Sequence, residues 1–179
     1  CVYGTGTIWE VEDGIEKATI PAAERDESIL SARLKIKDIL DPASAQAFAG
    51  TTSLNPMQST VFEVAFNTRE NVLVCAPTGA GKTNVAMLTV VAHFRDVGLI
   101  GDSRKESIET GKKVVYIAPM KALAQEIVEK FSSKLKGLGL IVRELTGDMQ
   151  LSRAEADSAH VIVTTPEKWD VVTRKSGTD

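Results

Sequence analysis

Short apolar runs alternate along this chain with longer stretches in which apolar residues recur every three or four positions, and the alternation predicts strands and helices in turn. Strands are expected at Val72 to Cys75, Val114 to Ala118, Leu140 to Leu145 and Val161 to Thr164, with helices at Lys82 to Asp96 and Lys121 to Lys136. Repeated β and α segments imply a parallel sheet covered by helices. Upstream, Asn55-Pro56 supplies an N-cap and a first-turn proline for a helix that carries Met57, Val61, Phe62, Ala65 and Phe66 mainly on one stripe and runs to about Asn67. Thr5 to Ile20 reads as a hairpin turning at Asp13-Gly14. Ala22 to Leu40 is charged, with Ile29, Leu30, Leu34, Ile36 and Leu40 scattered through it, and Asp41-Pro42 breaks it. It is expected to be a partly ordered arm. The polar, aperiodic stretch from Gly98 to Lys113 reads as a surface loop, and no internal repeat, heptad pattern or low-complexity tract appears. The expected division is an arm with a β-hairpin over 1–50 and an α/β body over 51–179.

With 179 residues, 43% of them hydrophobic, the chain can bury a sizeable core. Its formal net charge of -3 provides no basic footprint, so any grip on nucleic acid must come from local cations and backbone amides. The two cysteines, Cys1 and Cys75, sit at the terminus and in an expected buried strand, an unsuitable pair for a disulfide. A reducing, intracellular home in nucleus or cytoplasm fits that pairing. No apolar run approaches the roughly 20 residues of a membrane span, and Cys1 to Glu10 lacks the order of a secretory signal. No membrane partner is expected.

The strand predicted at Val72 runs into Ala76-Pro77-Thr78-Gly79-Ala80-Gly81-Lys82-Thr83, which opens the next helix. That is the context a phosphate-binding loop requires. Small residues let the backbone wrap and aim N–H groups inward, so a nucleotide's phosphates meet amide dipoles and the positive end of the helix. Lys82 would reach the β and γ phosphates, Thr83 would hold Mg²⁺ through its hydroxyl, and Gly81 lets the loop pass close to the phosphates. Ala76 stands where the usual pattern has its first glycine. A plain glycine-rich turn has no reason to end in Gly-Lys-Thr. The fold expected is α/β, of the P-loop type. His93 and His160 have no Cys or carboxylate at metal-ligand spacing, and no Ser/His/Asp or Cys/His arrangement is evident.

Five stretches in order, Leu54 to Gln58, Ala76 to Thr83, Ala118 to Ala124, Thr146 to Asp148 and Thr164 to Asp170, resemble the first motor domain of superfamily 2 helicases. Within that superfamily the wording is similar to the large helicases with two tandem cassettes, and Thr146 to Ser152 with Val171 to Ser176 is more similar to their cointegrator type. The resemblance implies a RecA-like fold, with 51–179 as the amino-terminal portion of the first motor domain. It implies ATP as the nucleotide, with Gln58 matching the glutamine that reads adenine; a first-turn polar residue facing solvent is the alternative. It also implies an RNA or DNA strand gripped by Pro119, Met120, Lys121 and Ala122, by Thr146 and Gly147, and by Thr165, Pro166 and Glu167, contacts that hold phosphates without reading sequence. Lys121 could instead be a solvated helix-start residue. Trp169 could stack a base or pack beneath its helix, and Phe48 could flank the adenine or belong to the core.

The family's D-E-x-H string does not occur before Asp179, and neither does its serine-alanine-threonine motif. Hydrolysis needs a carboxylate to orient Mg²⁺, a base for the attacking water and usually an arginine, so this stretch alone is expected not to hydrolyse ATP. Loss of the strands carrying those motifs is expected to leave open edges beside the P-loop strand. The function expected is the ATP-binding and strand-gripping part of an ATP-dependent 3′ to 5′ helicase that works in a larger complex. A GTPase switch is disfavoured by the lack of Asn-Lys-x-Asp; the remaining alternative is a non-catalytic nucleotide-binding or scaffolding module.

Overall fold

Asp13 and Gly14 hold φ of 50° and 78°, the signs a type I′ turn requires, and the chain reverses there between β1 (Ile8–Glu12) and β2 (Ile15–Thr19). The strands pair antiparallel with Ile8 opposite Thr19 and Glu12 opposite Ile15. This computed structural model describes residues 7–19, 33–101, 112–147 and 151–175, and the chain divides into two units, Cys1–Ala32 and Arg33–Asp179. The hairpin belongs to the first, and every residue of both its strands is exposed. Most of the arm expected from Ala22 onward lies outside the described residues.

In the second unit, α1 (Ile36–Ile39) and α2 (Pro42–Ala45) lead through a 3-10 turn, Gln46–Phe48, to α3 (Pro56–Phe62), which runs on as a π-helical turn, Glu63–Asn67. These boundaries follow from caps. Asp41 accepts from the Ala43 and Ser44 amides, while Asn55 and Gln58 close a reciprocal capping box over the start of α3, ahead of Pro56. The unit continues with α4 (Lys82–Asp96), β3 (Val114–Ile117), α5 (Lys121–Leu135), a 3-10 turn at Lys136–Leu138, β4 (Val142–Leu145), α6 (Arg153–Ser158), β5 (Val161–Thr164) and α7 (Pro166–Lys175). Residues 33–50, grouped with the arm by sequence, send Ile36, Leu40, Ala47 and Phe48 into the same core as α4 and α5.

Among the described residues of this unit three strands form a parallel sheet in the order β3-β5-β4, in register from Val114, Val161 and Val142. β5 is central and wholly buried, as a parallel strand covered on both faces must be. Val161 and Val163 face the large core, where α4 contributes Val85, Met87, Leu88, Val91 and Phe94, and α5 contributes Ile127, Phe131 and Leu135. Phe131 meets Tyr116 of β3 edge to face at 5.6 Å. On the other side Ile162 packs with Leu145 and Ala159 beneath Val172 of α7.

One expected strand does not form. Val72 to Cys75 is unpaired, Leu73 is 94% exposed, and Cys75 is exposed rather than buried. A strand is held by hydrogen bonds to a neighbour, and among the described residues none runs beside this segment. The polar loop after Gly98 lies mostly outside the described residues.

Candidate functional site

The glycines of the 76–83 loop adopt backbone that only glycine takes without strain: φ is 82° at Gly79 and 88° at Gly81. Gly81 is the N-cap of α4, so Lys82 and Thr83 occupy the first turn of a fifteen-residue helix whose leading amides have no intrahelical acceptor. The Lys82 ammonium turns back across the loop and donates to the carbonyls of Ala76 and of Pro77, the latter at 2.9 Å. Ala80 N–H closes the turn onto Pro77 O at 3.2 Å.

Gln58 is buried, not a solvent-facing first-turn residue. Its Oε1 accepts from Asn55 N at 3.0 Å and its Nε2 donates to Gly81 O at 3.1 Å. One N–H and one lone pair of that amide remain for another partner. Asn55, which the sequence marks only as a cap, also donates from Nδ2 to Ala80 O at 2.9 Å. A Cβ on Gly81 would run into Gln58 Nε2 and sit 3.1 Å from Asn55 Nδ2, so this glycine is required by proximity as well as by φ.

Thr78, Gly79, Gly81, Lys82 and Thr83 line a cleft of about 510 Å³ whose other wall is Ala118 and Pro119 at the end of β3 and the Leu123 to Lys130 face of α5. Behind it, Lys134 of α5 stands 3.4 Å from Asn84 Oδ1 and 5.6 Å from the ring of Phe48. Burial pushes the Lys134 ammonium below its ordinary value, and neighbouring Lys130 adds to the effect. Phe48 itself is a core residue.

A second groove, of about 550 Å³, opens where the carboxyl ends of the three parallel strands meet the starts of α5 and α7. Pro119, Met120, Lys121, Gly147, Thr165 and Glu167 line it, six of the nine residues expected to grip a strand, although they come from three separate loops. The Lys121 ammonium lies 3.7 Å from where a Cβ on Gly147 would be. Of the other three, Ala122 and Pro166 are exposed on the first turns of their helices. Thr146 differs: it is fully buried and donates its hydroxyl to Glu144, so its side chain turns away from the groove.

Two lining residues were missed by sequence reasoning. Lys168 donates to Gly147 O at 2.8 Å and brings a second ammonium to the groove, and Val171 forms part of its apolar wall. Val171 stands four residues after Glu167 and three after Lys168 on α7, spacings that share a helix face, and that was the available signal for it; sequence spacing gave none for Lys168. Trp169 is half-buried and does not line the groove. His93 and His160 flank Phe94 edge to face, at 5.0 and 5.9 Å. Burial first, then the Arg69 charge beside His93 and the Lys113 charge beside His160, hold both below the ordinary histidine value, against a hydrogen bond with the Lys112 backbone that raises His93. Among the described residues no cluster of metal-ligating side chains exists, and no helix is long and apolar enough to cross a membrane.

Residues 55–178 match the family model described as DEAD/DEAH box helicase. The chain is 56% identical over 141 residues to activating signal cointegrator 1 complex subunit 3 of Mus musculus, which covers 79% of this chain and 6% of that protein. It is 48% identical over 176 residues to the DExH-box ATP-dependent RNA helicase DExH14 of Arabidopsis thaliana, covering 96% of this chain and 8% of the relative. The chain thus spans less than a tenth of the length of these relatives. Among solved structures, the crystal structure of a hypothetical ATP-dependent RNA helicase from Sulfolobus tokodaii matches with a TM-score of 0.58 and 19% identity, over 78% of this chain and 38% of that one. That likeness establishes the RecA-like fold.

Proposed function

The chain belongs to the DEAD/DEAH box helicase family, and from that premise we propose that it is the ATP-binding and strand-gripping part of an ATP-dependent 3′ to 5′ helicase acting on RNA or DNA. The observation that carries the reading is the shared wall of the two clefts. Pro119 lines both, at the end of β3, so the P-loop cleft and the strand groove meet across one turn of chain.

The loop fits a nucleotide's phosphates by its own geometry. Two left-handed glycines bring no side chain of their own to the cleft, and the first amides of α4 point their dipoles toward it. Lys82 would leave the carbonyls of Ala76 and Pro77 for the β and γ phosphates, Thr83 would hold Mg²⁺ through its hydroxyl, and Gln58 would offer adenine its remaining N–H and lone pair. Mg²⁺ would supply charge neutralisation between the β and γ phosphates. In the second groove, Lys121 and Lys168 neutralise phosphates while the amides opening α5 and α7 orient the backbone of one strand. A relative named as a complex subunit and another named as an RNA helicase favour RNA as the strand and a larger assembly as the setting.

Thermal-shift titrations with Mg·ATP and Mg·GTP, run beside Lys82→Ala, test the nucleotide half. At a hundred times its Kd a ligand adds about 2.7 kcal/mol, or roughly 5–10 °C in Tm for a chain of this size. The expected result is saturable stabilisation that favours ATP and is lost in the variant. A cooperative transition indifferent to nucleotide and to Lys82 would overturn the reading. Fluorescence anisotropy with a labelled single-stranded RNA tests the other half; no salt-sensitive binding would remove the strand grip.

A further inference from the structure

The phosphate loop does not shape itself. Its backbone from Ala80 to Lys82 is tied down by two side-chain amides from the start of α3, and these ties, together with the Asn84 N–H that also donates to Gly81 O at 3.0 Å, set which way the intervening peptide planes face. Asn55 Nδ2 donates to Ala80 O at 2.9 Å, and Gln58 Nε2 donates to Gly81 O at 3.1 Å. In a trans peptide the carbonyl and the following N–H point in opposite directions. Tying the Ala80 carbonyl toward Asn55 therefore sends the Gly81 N–H away from α3, and tying the Gly81 carbonyl toward Gln58 does the same for the Lys82 N–H. These are consecutive donors at the head of α4, where a nest for an anion is built from backbone N–H groups.

We propose that Asn55 is a positioning residue for the phosphate cradle, acting on the Ala80-Gly81 peptide rather than on any ligand. Resting on the nucleotide-binding reading above, this gives α3 a task separate from base recognition. Asn55 is suited to it because its amide has two ends. Oδ1 accepts from Gln58 N at 2.9 Å and caps α3, while Nδ2 faces the loop. The Gln58 side chain in turn accepts from Asn55 N at 3.0 Å, so the two amides brace each other; Gly81 O would keep the Asn84 N–H at 3.0 Å if Gln58 swung away, whereas a swing of Asn55 cuts its tie to the Ala80 carbonyl. The crowding at Gly81 shows how closely they press on the backbone they hold: a Cβ there would collide with Gln58 and stand 3.1 Å from Asn55.

The cap and the loop tie can be separated by chemistry. Serine caps a helix about as well as asparagine but is too short to reach Ala80 O, so Asn55→Ser keeps α3 and cuts the tie. It also adds no charge near the phosphates. The experiment measures binding of Mg·ATP, Mg·GTP and inorganic pyrophosphate by calorimetry to this chain and to Asn55→Ser, with the Tm of each protein in the absence of nucleotide. The expected result is a loss of about five- to tenfold in affinity, the scale of one hydrogen bond, equal for all three probes, with an unchanged ratio of ATP to GTP and an unliganded Tm near that of the parent. Pyrophosphate has no base, so its loss reports the cradle alone. Undiminished pyrophosphate binding in Asn55→Ser would overturn the proposal, as would a changed ATP to GTP ratio, which would make Asn55 part of base recognition. A parent chain that binds none of the three would overturn the nucleotide-binding reading itself, whereas a parent that binds and a variant that binds equally well overturns only the role of Asn55.

Discussion

Gly79 and Gly81 offer a controlled comparison, because their φ values of 82° and 88° nearly coincide while their surroundings do not. An L-residue in the left-handed region costs roughly 1–2 kcal/mol. At Gly79 nothing lies within 4 Å of an added Cβ, so Gly79→Ala should cost that and no more. At Gly81 the new Cβ meets the Gln58 amide, which must withdraw from Gly81 O and leave a buried amide short of a partner. An unsatisfied buried polar group adds roughly 1–3 kcal/mol, so Gly81→Ala should cost about 2–5 kcal/mol in all. Urea unfolding followed by far-UV circular dichroism measures both, with equal m-values required for the comparison. Placing Gly81→Ala on a Gln58→Ala background removes the main obstacle, leaving only Asn55 Nδ2 at 3.1 Å, and should bring its cost down toward that of Gly79→Ala, a coupling visible in the double-mutant cycle. If the two alanine variants agree within about 0.5 kcal/mol, the scale of an inconsequential surface change, the packing of Gln58 against the loop is refuted.

Burial raises the Asp41 carboxyl, but the hydrogen bonds it accepts from Ser44 and Ala43 outweigh that and leave it below its ordinary value. A depressed carboxyl stabilises the fold above its unfolded pKa and loses that contribution as pH falls through the folded value, so urea midpoints of the parent should drop below about pH 4 relative to those of Asp41→Asn. Parallel midpoint curves for the two proteins would contradict the cap. Lys168→Met and Lys121→Met should each weaken single-stranded RNA uniformly across sequences and reduce the slope of log affinity against log salt by about 0.7. Anisotropy titrations over a salt series decide this; an unchanged slope for Lys168→Met would keep that ammonium on Gly147 O and off the strand.

Much of this molecule was legible because its signals are local. Asn55-Pro56 with Gln58 three residues after the cap, Asp13-Gly14 between β-formers, and glycines opening a helix at Lys82 each specify backbone within a few residues, and the structure places α3, the hairpin and α4 where those signals put them. The parallel sheet followed from the alternation of periods, and the strand at Val161 to Thr164 matches to the residue. Val72 to Cys75 failed for a reason no local signal carries. Its four apolar residues read as a buried strand, but pairing is supplied by neighbouring strands, and among the described residues none runs beside it; Val74 still packs against the core while Val72, Leu73 and Cys75 are exposed.

The sequence by itself determined the hairpin, α3 to α5, β3 to β5 and, through its motifs, the family. The three-dimensional arrangement decided the rest. It brought Lys121, Gly147 and Glu167 to one groove from three loops, turned Thr146 inward onto Glu144, added Lys168 and set the Asn55 and Gln58 amides against the phosphate loop. Those outcomes depend on which strand lies beside which and how far a side chain reaches across the gap. The order β3-β5-β4, not the order along the chain, puts the loops after Ile117, Leu145 and Thr164 side by side. Propensity acts over a few bonds, whereas a site is assembled from contacts between residues far apart in the chain, and only packing settles those.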